Sequence, residues 1–304
     1  MASEFPLTQP VTGVASDARD FWTVLKPNVM KLVVFSAACG LYLAPGDLHP
    51  VLAVVAILCI AAGAGAAAAI NNAYDADIDA RMVRTRLRPT AAGRITPADA
   101  LALGITLALV AVMLMGLAIN WVAASLLMLT ITFYVFIYTI WLKRRTPQNI
   151  VIGGAAGAFP PMVGWAAATG EIALPAILLF LIIFMWTPPH SWALALYRTR
   201  DYASVGVPML PVVAGDETTR RHILAYTLVL VPVALAPVAL GYAGLLYAVI
   251  ALALGLTFAG HALRLLAERT QRAANRLFRF SILYLFGLFT AMVVDKALGF
   301  GGLA

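Results

Sequence analysis

Nine times along the chain, an apolar stretch long enough to cross a bilayer ends at a short polar break. The stretches cover residues 28–44, 50–70, 97–119, 121–142, 149–168, 173–196, 221–240, 243–266 and 276–298. A spanning helix needs about 20 apolar residues, because each residue advances it only about 1.5 Å across roughly 30 Å of hydrocarbon. Little else is available for a soluble surface, since 62% of the residues are hydrophobic and 12% are charged. Lipid offers no water to satisfy open strand edges, so an all-α integral membrane protein of nine transmembrane helices is expected.

The breaks differ in charge, and that difference orients the helices. With the N-terminus placed in the cytoplasm, Arg19, Lys26, Lys31, the arginines from Arg81 to Arg94, and Lys143 to Arg145 fall inside. So do Arg198, Arg200, Arg220, Arg221 and the arginines from Arg264 to Arg279, which leaves outside only Lys296 of 21 basic residues. Such a bias predicts a cytoplasmic N-terminus and an outside C-terminus. The net charge of +7 then reports orientation, and no nucleic-acid partner is expected. Residues 1–25 carry Glu4, Asp17 and Asp20 without the apolar core and cleavage site of a signal peptide. They read as a polar tail ahead of a single nine-helix domain over 26–304. Cys39 and Cys59 stand alone in apolar runs and suggest packing, neither a disulfide frame nor a metal knuckle.

The densest charge lies between Asn71 and Pro89, directly after the second apolar run. If that helix continues, Asn71, Asp75 and Asp79 repeat every four residues and share a face, while Asp77 points elsewhere. Carboxylates so placed repel one another unless a cation joins them, and an oxygen-only donor set suits Mg²⁺. Arg81, Arg84, Arg86 and Arg88 follow at once. Hard-metal carboxylates beside guanidinium forks describe a site for a diphosphate, the leaving-group end of a prenyl donor. In a bent turn Arg84 and Arg88 share a face and Arg86 does not. Thr96, Pro97 and Asp99 form a capping box for the third helix, so the loop from 80 to 95 is long enough to cover a cavity mouth. The outer connections near Asn120, Glu171 and Gly241 are tight by comparison, and chemistry is expected on the cytoplasmic side around a central cavity.

Further along, Lys143 either touches a phosphate or anchors topology, and Asn149 either caps the fifth helix or faces the cavity. Gly153 and Gly157 allow a close helix crossing, and Pro160 and Pro161 predict a kink. The sixth helix carries Pro188, Pro189 and His190, then Tyr197 and Asp201 four residues apart. Because four helices separate this second motif from the first, both emerge on one membrane face, as in a weak parallel duplication. Asp201 would hold a second metal ion, position the first, or pair with Arg198 or Arg200. His190 is able to ligate a heme iron, act as a base, or bond a carbonyl freed by the prolines. Phe133, Tyr134, Phe136, Tyr138, Trp141, Phe184, Trp186 and Trp192 either line an apolar tunnel or pack between helices.

The Asn71, Asp75, Asp79 face, the arginine loop ending at Pro89 and the block from Tyr138 to Trp165 together resemble the UbiA superfamily of intramembrane prenyltransferases. The resemblance covers residues 26–298, and the Thr187-Pro-Pro-His190 run and the segment from Arg200 to Val212 are most similar to its heme-modifying branch. Quinone-forming members show two aspartate-rich motifs, whereas the second motif here offers Tyr197 and Asp201. What the resemblance implies is farnesyl transfer from farnesyl diphosphate to a vinyl group of heme b, with water adding a hydroxyl, giving heme o and diphosphate. It further implies Mg²⁺ on Asp75 and Asp79, with Asn71 ordering these ligands. Arg84, Arg88 and Lys143 would bind the diphosphate, Tyr197 and Asp201 would complete the catalytic set, and His190 would hold the porphyrin. A bacterial inner-membrane location follows, with heme a synthase or the terminal oxidase assembly as protein partners. Two other readings are a prenyltransferase acting on a quinone precursor or another tetrapyrrole, and a cation-coupled secondary transporter.

Overall fold

Proline starts many of the helices. It sits in the first turn, where its missing N–H costs nothing, at α2 (Pro27–Leu43), α3 (Pro50–Tyr74), α5 (Pro97–Ala118), α8 (Pro160–Thr169) and α9 (Leu174–Leu196). The computed structural model describes residues 17–300, and among these every regular element is helical. The remaining elements are α1 (Ala18–Val24), α4 (Ala76–Arg81), α6 (Trp121–Thr132, continued by a π-helix over Phe133–Leu142), α7 (Asn149–Ala158), α10 (Thr199–Ala203), α11 (Leu210–Val213), α12 (Gly215–Ala239), α13 (Leu245–Glu268) and α14 (Gln271–Ala297).

Eight helices, counting α6 with its π continuation and α7 with α8, are long and apolar enough to cross a membrane. The count rises to nine if α1 and α2, which meet at 54°, form one span. The chain is therefore a multi-pass integral membrane protein, with its spans close to the expected nine stretches. Helices α12 and α14 start earlier than their apolar runs, because polar residues such as Asp216 and Arg272 continue the backbone ladder although they carry no hydropathy signal. Of the expected polar tail, residues 1–16 lie outside the described residues. Residues 18–24 form α1, whose Val24 is fully buried beside Ala69, Ile95 and Ala100.

Glycine permits the closest helix contact, though not where the sequence pointed. A Cβ at Gly40 on α2 would sit 2.0 Å from the carbonyl oxygen of Pro161, and one at Gly164 on α8 would sit 2.1 Å from that of Ala37. These reciprocal approaches bring two backbones together with no side chain between them. Gly153 instead accommodates the Tyr138 ring, Gly154 accepts Thr187 of α9, and a Cβ built at Gly157 would meet nothing within 4 Å. At the Pro160–Pro161 pair, where a kink is expected, the helix is interrupted at Phe159 between α7 and α8, which together make one span.

Two adjacent side chains bind helix ends near the close of α14. Asp295 accepts the N–H groups of Gly244 (2.6 Å) and Tyr247 (3.1 Å) at the start of α13. Lys296 donates to the carbonyls of Tyr42, Leu43 and Ala44 at 3.0–3.1 Å, at the end of α2. Each charge opposes the partial charge of the helix end it meets and satisfies groups that have no intrahelical partner.

Candidate active site

A cavity of about 300 Å³ lies between α2, α3, α6, α7 and α8. Lys26, Asn71, Asp79, Arg84, Arg88 and Lys143 line its charged end, whereas Val33, Ile60, Leu127, Ile131 and Val163 are among its apolar walls. Of the aromatic residues offered as tunnel walls, Tyr134 and Tyr138 face it. Phe136 and Trp141 point outward, and Trp186 and Trp192 are packed in the core. Aliphatic side chains and bare helix backbone thus form most of the apolar wall.

The first motif keeps its shared face although the helix label changes within it. Asp75 caps α3, yet its N–H still reaches the Asn71 carbonyl (2.9 Å), and the N–H of Asp79 reaches that of Asp75 (2.8 Å). All three side chains are buried. The Asn71 amide donates to Asp75 Oδ2 (2.7 Å) and to Thr139 Oγ1 (3.1 Å), while its oxygen accepts from Lys26 Nζ (2.7 Å). This fixes the amide orientation and ties α3 to α2 and to the π-helix, a backbone form that recurs at functional sites. Asp75 is also held by Lys143 and, at 3.4 Å, by Arg144. Asp79 accepts from Arg88 Nη1 at 2.6 Å. Asp77 turns away, as expected, into a two-pronged pair with Arg144 at 2.7 and 2.8 Å. Those hydrogen bonds hold its carboxyl below the usual aspartate range and push the Arg144 guanidinium up.

The arginine loop folds as turns, with the N–H of Arg86 on the Met82 carbonyl (3.0 Å) and that of Arg88 on Thr85 (2.9 Å). Arg84 and Arg88 line the cavity and Arg86 does not. Asp201 contributes from a distance, because its Oδ1 accepts the N–H of Val83 (2.9 Å) and pins the start of the loop. Its other oxygen is buried without a partner, and neither Arg198 nor Arg200 pairs with it.

The helix is interrupted between Tyr197 and Asp201. Tyr197 ends α9, and α10 restarts only at Thr199, so the four-residue spacing is broken and Tyr202 lines the cavity instead. Tyr197 meets Phe278 of α14 edge to face, with ring centres 6.1 Å apart. Phe278 also stacks on His190 (4.7 Å), whose other face meets Trp186 (4.2 Å). His190 therefore belongs to the seam between α9 and α14 and is not among the cavity walls. Its Nδ1 lies 2.7 Å from Ser281 Oγ, and the Ser281 hydroxyl donates to the Phe278 carbonyl at 2.6 Å. The Ser281 hydroxyl thus links His190 Nδ1 to the Phe278 carbonyl of α14 and leaves Nε2 outside that contact. Asn149 donates to the Thr146 carbonyl (2.7 Å) and orders the turn after Lys143.

Asp75 and Asp79 supply the hard oxygen donors of this face, and Asn71 turns its N–H toward Asp75 and its oxygen toward Lys26. Among the described residues no three acidic, histidine or cysteine side chains gather as an all-protein metal cage. This donor set fits Mg²⁺, which commonly takes one or two carboxylates and fills its remaining positions with phosphate oxygens and water. An acidic pair for a hard cation, two arginines beside it and an apolar chamber are also what a prenyl diphosphate requires. The model of the UbiA prenyltransferase family matches residues 33–288. The chain belongs to the UbiA prenyltransferase family. A protoheme IX farnesyltransferase from Parvibaculum lavamentivorans is 58% identical over 301 residues, covering 97% of this chain and 94% of its own. Among solved structures, a UbiA homolog from Aeropyrum pernix K1 has a TM-score of 0.73 at 20% identity, over 89% of this chain and 98% of its own. One from Archaeoglobus fulgidus bound to DMAPP and Mg²⁺ has a TM-score of 0.67 at 15% identity, over 90% and 99%.

Sequence reasoning missed several partners in this UbiA-family chain. Lys26 reads as a topology anchor, but its left-handed backbone (φ 54°) turns the chain between α1 and α2, and its ammonium reaches Asn71. Thr139 and Tyr202 carry no local signal, since only the fold brings them to the first motif and the cavity wall. Arg144 sits in a basic triplet whose members look alike until Asp75 and Asp77 select among them.

Proposed function

We propose that this chain transfers the farnesyl group of farnesyl diphosphate to a vinyl group of heme b, with water adding a hydroxyl, to give heme o and diphosphate. One observation carries the reading: a single cavity joins a cluster of phosphate-seeking and carboxylate groups to an apolar chamber, in a chain 58% identical throughout to a protoheme IX farnesyltransferase. Asp75 and Asp79 hold Mg²⁺, and Asn71, anchored by Lys26 and Thr139, keeps Asp75 oriented. Mg²⁺, when bound, neutralises charge that builds on the departing diphosphate. Arg84, Arg88 and Lys143 bind the diphosphate oxygens, with Arg88 and Lys143 exchanging their carboxylate partners for phosphate, while Lys26 adds a further cation at the same end. The apolar walls exclude water from the allylic carbon as the C–O bond breaks, so the vinyl carbon is favoured over solvent as the nucleophile. Asp201 is a positioning residue for the arginine loop. Tyr197 extends the α9–α14 seam on which His190 meets the porphyrin, presenting Nε2 while Ser281 holds Nδ1, a common arrangement for an iron-ligating histidine. Residues 26–304 act as one domain in a bacterial inner membrane. The charged end faces the cytoplasm, the N-terminus lies inside and the C-terminus outside, consistent with the placement of twenty basic residues. Delivery to heme a synthase or a terminal oxidase assembly would follow from the product.

Membranes containing the protein, given heme b and farnesyl diphosphate, are expected to form heme o only with a divalent metal. Membranes that instead prenylate 4-hydroxybenzoate from a polyprenyl diphosphate would overturn the assignment.

Arginine grips phosphate through a planar fork that lysine lacks. Arg84→Lys and Arg88→Lys are therefore expected to lose on the order of tenfold or more in kcat/KM, while Arg86→Lys, outside the cavity, stays near the starting value. Equal tolerance at all three positions would reduce the loop to a source of net positive charge.

His190→Ala is expected to weaken heme use by about tenfold, with the KM for farnesyl diphosphate little changed, because the α9–α14 seam and the charged end are separate surfaces. An unchanged heme spectrum and affinity in this variant would confine His190 to packing between Trp186 and Phe278.

A further inference from the structure

Gly157 lines the cavity and is exposed to it, while Gly153, Gly154, Ala155, Ala156 and Ala158 on the same helix are buried. A Cβ built there meets nothing within 4 Å. A β-carbon at 157 would therefore enter open space beside the cavity without displacing protein. Helix α7 begins at Asn149, whose amide lies 3.5 Å from the carbonyl of Lys143 at the charged end. The eight residues from there to Gly157 descend about 12 Å at 1.5 Å per residue. With an advance of roughly 1.3 Å per C–C bond, a geranyl backbone spans about 10 Å and a farnesyl backbone about 15 Å. A side chain at 157 leans toward the helix N-terminus, and so toward the charged end. It would obstruct the cavity near the depth where a geranyl chain ends and a farnesyl chain continues.

We propose that Gly157 determines prenyl chain length, by leaving open the part of the cavity that holds the third isoprene unit of the donor. This inference rests on the prenyl diphosphate reading above. Substitution should not unfold the helix, because glycine is a weaker helix former than alanine or leucine.

The test compares the unaltered chain with Gly157→Ala and Gly157→Leu, using geranyl and farnesyl diphosphate with heme b, and binding of their unreactive thiolo analogues. Gly157→Leu is expected to shift the farnesyl-to-geranyl ratio of kcat/KM toward geranyl by roughly 10- to 100-fold, with a matching loss of farnesyl-analogue binding. Gly157→Ala should fall between. Geranyl-analogue binding should stay within a few-fold in both variants and serves as the readout of a folded site. An unaltered ratio in Gly157→Leu, or equal loss of both analogues in Gly157→Ala, overturns the inference. Failure of the unaltered chain to bind or use either donor removes the prenyl reading itself, and the inference with it.

Discussion

Asp79→Asn is expected to lower farnesyl transfer on the order of 10³-fold while the protein stays folded. The change keeps the shape of the side chain and removes one of two charges available to a metal in a water-excluded site, where such electrostatic terms are large. Asp79 lines the cavity and its partner Arg88 is about a quarter exposed, so the released guanidinium has access to water. Asp75→Asn should abolish transfer as well, but it also strips Lys143 and Arg144 of a fully buried partner. Breaking such a pair typically costs about 3–5 kcal/mol. The two variants are thus expected to differ in thermal midpoint while sharing the loss of activity. Metal-independent turnover within tenfold of the starting rate in Asp79→Asn would remove the carboxylates from the reaction.

A comparably large effect, on folding, is expected at Gly40 and Gly164. One methyl group at either position meets a backbone carbonyl at about half the normal contact distance. The neighbours are main-chain atoms of a spanning helix, so relief requires α2 and α8 to separate along their contact. Overpacking of cores commonly costs 1–3 kcal/mol, and about 3 kcal/mol or more is expected here because no rotamer change relieves it. Gly40→Ala and Gly164→Ala should therefore lose most of their monodisperse protein in detergent. Gly157→Ala, with open space around it, should not. A thermal midpoint for Gly40→Ala equal to that of the unaltered chain would mean that α2 and α8 part without penalty.

These expectations show what local sequence carries and what it leaves out. The nine spans were legible because lipid imposes one demand, an apolar run, on every one of them. Asn71, Asp75 and Asp79 were legible because helical periodicity persists through the change from α3 to α4, and Arg84 and Arg88 because one turn suffices to separate them from Arg86. The Gly40–Gly164 approach joins residues from opposite ends of a long separation, so Gly153 and Gly157, a visible pair, drew the prediction instead. Tyr197 and Asp201 looked coupled because spacing assumes an unbroken helix, and the backbone leaves the helix at Tyr197. His190 beside two prolines was visible as unusual. That it shares Phe278 with Tyr197, on a seam apart from the diphosphate end, depends on α14 and is written nowhere near residue 190.

The Asp295–Lys296 pair bears on the order in which the molecule is assembled. Lys296 binds carbonyls 252 to 254 residues earlier in the chain, so the end of α2 stays without these partners while the intervening helices are inserted. Contacts of such sequence separation form late, after the intervening loops have been closed. Until then the Lys296 charge has nothing to hold it on the face where basic residues are otherwise missing. An intermediate lacking α14 therefore carries two unfinished helix ends, the carbonyls that close α2 and the N–H groups that open α13. A cell's quality-control machinery would meet those ends, and α2 is finished only when α14 arrives.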